Sequence, residues 1–323
     1  MDERREALAA AREIIERAMH DRSVYEQMAA RESEVWGAVL PEWERSPAKA
    51  EDVAASAELR VGRHQAGLVK VAQERGLKFQ RGLTLGCGAG RLERSLLKAG
   101  ICESFHGIDV AADAVKSAQE TAAREGLPLS YEIGDLNFIR LPARAYDLVV
   151  AQTSLHHVLH LEHVAEQVHQ TLRPGGYLWV HDFIGETQGQ YDERRLHLVN
   201  QVLKFLPEKF RQNKVSGRLV AQVKRPKPGN LMSPFECIRS AEIVPVFERW
   251  FTIEWRAEFG AFMQLVAPPG TRAAYLENAD TRALFEALLL LDRTCIDAGV
   301  VKPTGGQFLM RPRELTSPAS DSK

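Results

Sequence analysis

The sequence predicts an α/β fold in which parallel strands alternate with helices, and three observations carry that expectation. Leu83 and Leu85 alternate with Thr84 as on a buried strand, glycines follow at Gly86, Gly88 and Gly90, and Leu92, Leu96 and Leu97 then take helical spacing. Phe105-His-Gly-Ile-Asp109 reads as a second short strand ending on a carboxylate, one helix after the first. Tyr146 to Ala151 is nearly all apolar, as parallel strands buried on both faces are.

The first unit is a strand, a tight turn and a helix from about Arg91 to Ala99. Glycine lets such a turn adopt positive φ, and without a Cβ it lets a ligand lie against the backbone while the N–H groups of the new helix point at it. A nucleotide-like cofactor is therefore expected. The dinucleotide fingerprint wants a third glycine where this chain has Arg91, so the observed spacing is G-x-G-x-G and the nicotinamide reading loses its last element. Asp109, leaving the second strand, is placed to accept hydrogen bonds from both ribose hydroxyls; its plainer role would be to cap the helix from Ala111 to Glu125. A third strand, Leu129 to Ile133, leads into Gly134-Asp135-Leu136-Asn137, and the fourth runs from Tyr146 to Ala151.

Leu83 to Gly90, Asp109, Gly134-Asp135-Leu136, Tyr146 to Gln152 and Leu172-Arg-Pro-Gly-Gly-Tyr-Leu178 resemble, in order and spacing, the motif series of class I S-adenosylmethionine-dependent methyltransferases, over about residues 80 to 185. The resemblance implies a Rossmann-like, seven-stranded, mostly parallel sheet with a reversed last strand, and S-adenosylmethionine lying across the carboxyl ends of its first strands. Gly86, Cys87, Gly88 and Gly90 would then admit the cofactor, and Asp109 with Val110 would meet its ribose. Asp135 would take the adenine amino group while Leu136 packs on the ring, although Gly-Asp is also ordinary turn chemistry. Gln152 would face the methionine portion.

Length, charge and cysteine usage set the frame. The 323 residues exceed a usual single domain, so a core of about 200 residues with helical attachments is expected. With 42 Lys and Arg against 43 Asp and Glu, no global field draws the chain to nucleic acid or a membrane. Cys87, Cys102, Cys237 and Cys295 lack paired spacing and read as free thiols in a reducing compartment. The charged start Met1-Asp-Glu-Arg-Arg-Glu has no apolar signal core, and no run of about 18 apolar residues occurs, so a cytoplasmic location is expected. Residues 1–78 read as a helical extension. Leu8, Ala11, Ile15, Ala18 and Met19 share one helix face; a second helix runs from Ser23 to about Val39 with Tyr25, Met28 and Val35 as apolar positions, until Pro41 and Pro47 break it; a third spans Val53 to Arg75. These helices could cover the active site or form a homodimer contact.

The richest stretch chemically is Gln152-Thr-Ser-Leu-His156-His157-Val-Leu-His160-Leu-Glu-His163, which starts at the carboxyl end of a strand, where open α/β sheets bind ligands. His156 or His157 could act as general base, since a hydroxyl or ammonium nucleophile must lose a proton. His156, His160 and His163 stand at i, i+4 and i+7, a spacing that metal sites also use, but the Leu-His-His pattern recurs without metal in the methyltransferases this chain resembles, so no metal is assigned. For His160 and His163 a loop-ordering role is the reading. Strand five, Tyr177 to Phe183, brings Asp182 to the ligand edge, to hold a substrate polar group or to cap the next turn.

An insertion follows at about 185–233, with a helix from Asp192 to Phe205 and eight Lys or Arg against the single acid Glu208 between Lys204 and Lys227. It is either a solvated face or a lid that attracts an anionic acceptor, in which case Tyr191 and Arg195 are the residues to reach it. The pattern around Ser233-Pro-Phe-Glu-Cys-Ile-Arg-Ser is similar to bacterial methyltransferases acting on sugars, glycans or secondary metabolites. After a helix from Ser240 to Trp250, Thr252 to Phe259 and Phe262 to Ala267 read as paired sixth and seventh strands, which would close a core of 79–268. Residues 269–323 hold an apolar helix from Thr281 to about Ala298, a tail from Pro303 to Arg311 with no evident role, and a disordered end after Arg313.

The expectation is a methyltransferase acting on an oxygen or nitrogen of a small molecule. Methylation of RNA or protein is the enzymatic alternative, with sparse aromatic residues in the basic insertion against nucleic acid. A noncatalytic binding or scaffold protein on the same fold is the other.

Overall fold

The computed structural model describes residues 2–59 and 67–314. Helices α1 (Asp2–His20), α2 (Arg22–Arg45), α3 (Pro47–Glu58) and α4 (Leu68–Glu74) precede the sheet. The core then alternates β1 (Phe79–Leu85), α5 (Arg91–Lys98), β2 (Cys102–Asp109), α6 (Ala112–Glu125), β3 (Leu129–Ile133), β4 (Tyr146–Gln152), α7 (Leu161–Thr171) and β5 (Leu172–Phe183). Next come α8 (Glu193–Phe205), α9 (Glu208–Arg211), α10 (Ile243–Phe247), β6 (Phe251–Phe259), α11 (Met263–Val266), α12 (Ala279–Asp297) and β7 (Gly305–Pro312).

The seven strands form one sheet in the order β3-β2-β1-β4-β5-β7-β6. β1 to β5 pair in parallel, and β7 runs antiparallel to both β5 and β6, so the reversed strand is the last in sequence. Alternate residues of the central strands feed two opposite layers. Leu83, Leu85, Val149 and Phe308 pack with α7 and α10 on one face, whereas Leu148, Val150, Trp179 and Leu309 pack with α4 and α5 on the other. Strand order reverses between β1 and β4, which makes the carboxyl ends of these two strands the natural ligand crevice.

The structure corrects the expected seventh strand. Phe262 to Ala267 does not pair with β6; it turns into α11 and joins α8, α9 and α12 in a separate apolar cluster around Phe262, Tyr275 and Phe285. A six-residue apolar run fits a buried helical turn as well as a strand. The true seventh strand is the tail Gly305–Pro312, inserted between β5 and β6, so the sheet is completed well beyond residue 268. Its two opening glycines have a packing reason: a Cβ on Gly305 would lie 2.4 Å from the Phe259 ring, and one on Gly306 2.5 Å from the Phe308 ring.

Two smaller expectations change as well. α2 continues through Pro41 to Arg45, at the loss of one backbone hydrogen bond. The helix expected over Val53 to Arg75 is divided between α3 and α4, with residues 60–66 outside the described residues, as are 315–323, where disorder was expected. Among the described residues no helix is long and apolar enough to cross a membrane.

Candidate functional site

A cavity of about 800 Å³ opens at the carboxyl ends of β1, β2 and β4. Its floor is the glycine turn after β1. Gly86 and Cys87 both donate their N–H to the Ile108 carbonyl, at 2.8 and 3.1 Å, which folds the turn back onto β2. Gly88 donates to Asp109 Oδ2 at 2.7 Å, and Ala111 N–H donates to Asp109 Oδ1 at 2.9 Å. Asp109 thus fixes the turn and the start of α6 together. Burial raises its pKa, and the N–H groups of Ala111 and Gly88 work against that rise.

Gly86, Cys87, Gly88, Asp109, Val110, Asp135, Leu136, Gln152, His156 and His157 all line this cavity. At Gly88 a Cβ would meet only Leu40, at 3.5 Å, so the backbone there is open to a ligand. Gly90 is not among the lining residues: at φ +74° a Cβ would lie 2.4 Å from the Tyr131 hydroxyl, so its glycine serves packing against β3. Asp135 is more occupied than the sequence implies. Its Oδ1 accepts the Asn137 N–H at 2.9 Å and the Asn137 side chain at 3.1 Å, and its Oδ2 accepts the Tyr25 hydroxyl at 2.5 Å.

The far end of the cavity gathers charged groups from distant parts of the chain. His156 Nδ1 lies 2.5 Å from Asp182 Oδ1, and Asp182 Oδ2 also accepts the N–H groups of Ser154 and Leu155 at 3.0 and 2.7 Å. Burial opposes ionisation of both partners, but their mutual attraction outweighs it, lowering the Asp182 pKa and raising that of His156. Asp182 is therefore a buried support beneath the cavity wall and does not reach the cavity. His157 Nδ1 approaches Glu32 Oε1 of α2 at 2.8 Å. Glu32 accepts from Trp36 Nε1 at 2.7 Å, the Ser233 hydroxyl at 2.9 Å and the Phe235 N–H at 2.9 Å. Burial alone would raise the Glu32 pKa; His157, with the Phe235 and Ser233 donors, brings it below the usual value. Glu236 completes the group, its carboxylate 3.6 Å from His156 Nε2 and 3.8 Å from His157 Nε2.

The expected trio His156, His160 and His163 is not brought together. His163 Nε2 contacts the Ile139 carbonyl at 2.8 Å, and His160 packs against Tyr25 and Phe138. Arg195 is corrected too. It is 1% exposed, and its guanidinium donates to the carbonyls of Ala261 at 2.5 Å and Lys302 at 2.7 Å and to Glu186 at 2.9 Å, which ties α8 to the C-terminal excursion. Neither Arg195 nor Tyr191 lines the cavity, nor does any basic residue between Lys204 and Lys227. Glu93, the first acid of α5, is buried behind the turn with neither carboxylate oxygen hydrogen-bonded, and burial pushes its pKa up to about 7.

Among the cavity residues that sequence reasoning missed are Glu32, Trp36 and Glu236, which gather at the histidine end. A signal for Glu32 existed: it stands seven residues after Tyr25, on the apolar stripe of α2, where a lone carboxylate is out of place. No such signal marks Glu236.

Residues 83–176 match the family model described as a methyltransferase domain. The human protein named arginine-hydroxylase NDUFAF5, mitochondrial, is 35% identical over 109 residues, 34% of this chain and 30% of that protein. The ubiquinone biosynthesis O-methyltransferase of Coxiella burnetii is 26% identical over 109 residues, 34% of this chain and 46% of that protein. The chain thus spans less than half the length of either relative. An S-adenosylmethionine-dependent methyltransferase from Mesorhizobium loti superposes with a TM-score of 0.42 at 18% identity, covering 76% of this chain and 99% of that one. Sheet order, reversed strand and matched segment together assign residues 83–176 to the methyltransferase-domain family, on the class I S-adenosylmethionine-dependent fold.

Proposed function

We propose that the protein transfers a methyl group from S-adenosylmethionine to an oxygen or nitrogen of a small molecule held at the His156–His157 end of the cavity. The observation that carries this reading is that one cavity joins the Gly86–Gly88 turn and Asp109 to the two histidines and Glu236. Its volume of about 800 Å³ is within the range of small-molecule clefts, and α2 and residues 232–236 form its outer wall.

The residues present fit the cofactor. The turn leaves the Gly88 backbone bare, Asp109 borders the cavity with acceptor oxygens for ribose hydroxyls, and Leu136 offers an apolar face. Bound there, S-adenosylmethionine supplies a methyl carbon already made electrophilic by its sulfonium, so no covalent enzyme intermediate is required. Asp135 would hold the adenine amino group, sharing with it the oxygen that now accepts the Tyr25 hydroxyl. Gln152, at the end of β4 and on the cavity wall, would meet the methionine portion. Leu40 of α2 borders the glycine turn, and Trp36 of the same helix packs edge-on against His157 at the other end. At the acceptor end His156 is held by Asp182 with Nε2 directed away from it, toward Glu236, and His157 is held in the same sense by Glu32. Two imidazole nitrogens are thereby at hand where an acceptor must give up its proton. Orienting the nucleophile within about 3 Å of the methyl carbon supplies much of the rate.

The test is transfer of labelled methyl from S-adenosylmethionine to a panel of hydroxylated and amino small molecules. With an accepted substrate, replacing His156 and His157 together by Ala should cut turnover by at least about 10²-fold and change cofactor affinity little. Turnover near wild type in that variant would remove the acceptor-end assignment.

A further inference from the structure

We propose that His156, His157 and Glu236 bind a divalent transition-metal ion through His156 Nε2, His157 Nε2 and the Glu236 carboxylate. This rests on the reading of that end of the cavity as the acceptor end, and it adds what holds the acceptor there.

The ligand atoms of the three residues lie within 4.8 Å of one another, half-buried or buried, at the edge of a cavity with room for further ligands. What separates the cluster from an ordinary group of polar side chains is how each imidazole is held. Asp182 receives the N–H groups of Ser154, Leu155 and Phe183 besides His156 Nδ1, and Glu32 receives Trp36, Ser233 and Phe235 beside His157 Nδ1. A carboxylate so supplied with donors is an ionised acceptor and draws the imidazole proton onto Nδ1. The contact from His157 to Glu32 is close at 2.8 Å although not aligned as a full hydrogen bond, and it acts in the same direction. Both Nε2 atoms are left with lone pairs aimed at a third carboxylate. A carboxylate that orients a histidine whose other nitrogen meets a metal is the usual outer shell of such sites, and here it occurs twice.

The gaps point the same way. Glu236 lies 3.6 Å from His156 Nε2 and 3.8 Å from His157 Nε2, beyond hydrogen-bond reach in both cases, and among the described residues its carboxylate accepts a hydrogen bond only from the Cys237 thiol, at 3.4 Å. Three electron-pair donors facing one another across such gaps need positive charge between them. Metal bonds of about 2.0–2.2 Å set neighbouring ligand atoms about 3.0–3.5 Å apart, so a contraction of a few tenths of an ångström would close the site. Two imidazoles with one carboxylate favour zinc, iron or a similar ion over magnesium or calcium, and three protein ligands leave open positions, as in catalytic sites. An acceptor hydroxyl on an open position loses its proton to water more readily: the O–H bond breaks, and the electron pair stays on the oxygen that the ion holds. With the ion in place, the imidazoles serve as its ligands and the ion does the work of the base.

The experiment is titration of the chelator-stripped 323-residue protein with zinc by calorimetry and with cobalt by visible absorption, at pH 7.5 and without cofactor. Expected are one ion per chain, cobalt bands in the visible, and affinity weakened at least tenfold by Glu236→Gln and by His157→Gln. Asp182→Asn should weaken it by about 10- to 100-fold through misorientation of His156; should this buried variant fail to fold, the half-buried Glu236→Gln still decides. No stoichiometric binding by the wild type, which would leave a proton on one imidazole as the charge in the gap, or unchanged affinity in Glu236→Gln, would overturn the proposal. S-adenosylhomocysteine binding measured in chelator reports separately on the cofactor end, so failure of either reading can be told from failure of the other.

Discussion

Glu93 offers a quantitative test of how the wall behind the glycine turn is built. Its side chain is fully buried on the first turn of α5 with neither carboxylate oxygen in a well-formed hydrogen bond, and burial, only partly offset by its own N–H, the Thr84 hydroxyl and Arg94, raises its pKa from 4.5 to about 7. Because the folded-state value lies above the unfolded one, its contribution to stability is fully present below pH 4.5 and is lost as pH rises through about 7. Each pKa unit corresponds to about 1.4 kcal/mol, so the ionised carboxylate costs about 3 kcal/mol at pH 8. Glu93→Gln keeps the shape and removes the charge. Relative to wild type it should gain nothing near pH 4.5 and about 3 kcal/mol at pH 8, or roughly 4–5 °C in Tm for a chain of this size. The assay is urea or thermal unfolding of both proteins from pH 4.5 to 8.5, with the difference plotted so that other titrating groups cancel. A pH-independent difference would mean that the carboxylate is solvated or paired in the folded state and is not a buried, unpaired charge.

Two further predictions concern residues whose roles the structure reassigns. Arg195→Ala should cost about 3–5 kcal/mol in denaturant unfolding, since it leaves the Glu186 carboxylate and the carbonyls of Ala261 and Lys302 without their buried donor; stability near wild type with a changed acceptor KM would restore the acceptor role expected from sequence. Gly90→Ala, at φ +74° and with its Cβ 2.4 Å from the Tyr131 hydroxyl, should lose about 2–4 kcal/mol by the same assay, and an unchanged midpoint would contradict the tight packing of the turn on β3.

The legible part of the sequence is the part whose chemistry is local. Strand alternation, the glycine turn and the carboxylate that ends β2 place Asp109 beside Gly88 from residues only 21 apart, and buried parallel strands announce themselves by apolar runs. β7 was opaque because it returns to the sheet only after α11 and α12, and because its two opening glycines, which carry no strand signal, are there to admit the Phe259 and Phe308 rings. Asp135 shows a different limit: its position lines the cavity as the motif implies, but the hydroxyl that occupies it comes from Tyr25 on a helix with no motif of its own. Arg195 carried a readable sign. It stands four and eight residues before Val199 and Leu203, on the face of α8 that packs inward, so periodicity argued for burial against the pull of its charge. Glu236 reaches His156 from 80 residues downstream, and only the fold brings them together.

The bare turn at Gly88 and the carboxylate of Asp109 are proposed to hold an adenosyl cofactor. Calorimetric titration of the wild-type protein and of Asp109→Ala with S-adenosylhomocysteine tests it most directly. One molecule should bind per wild-type chain, with affinity at least tenfold weaker in a folded Asp109→Ala variant; no binding by the wild type, or equal affinity in the two proteins, would mean that the turn and Asp109 do not form the cofactor site.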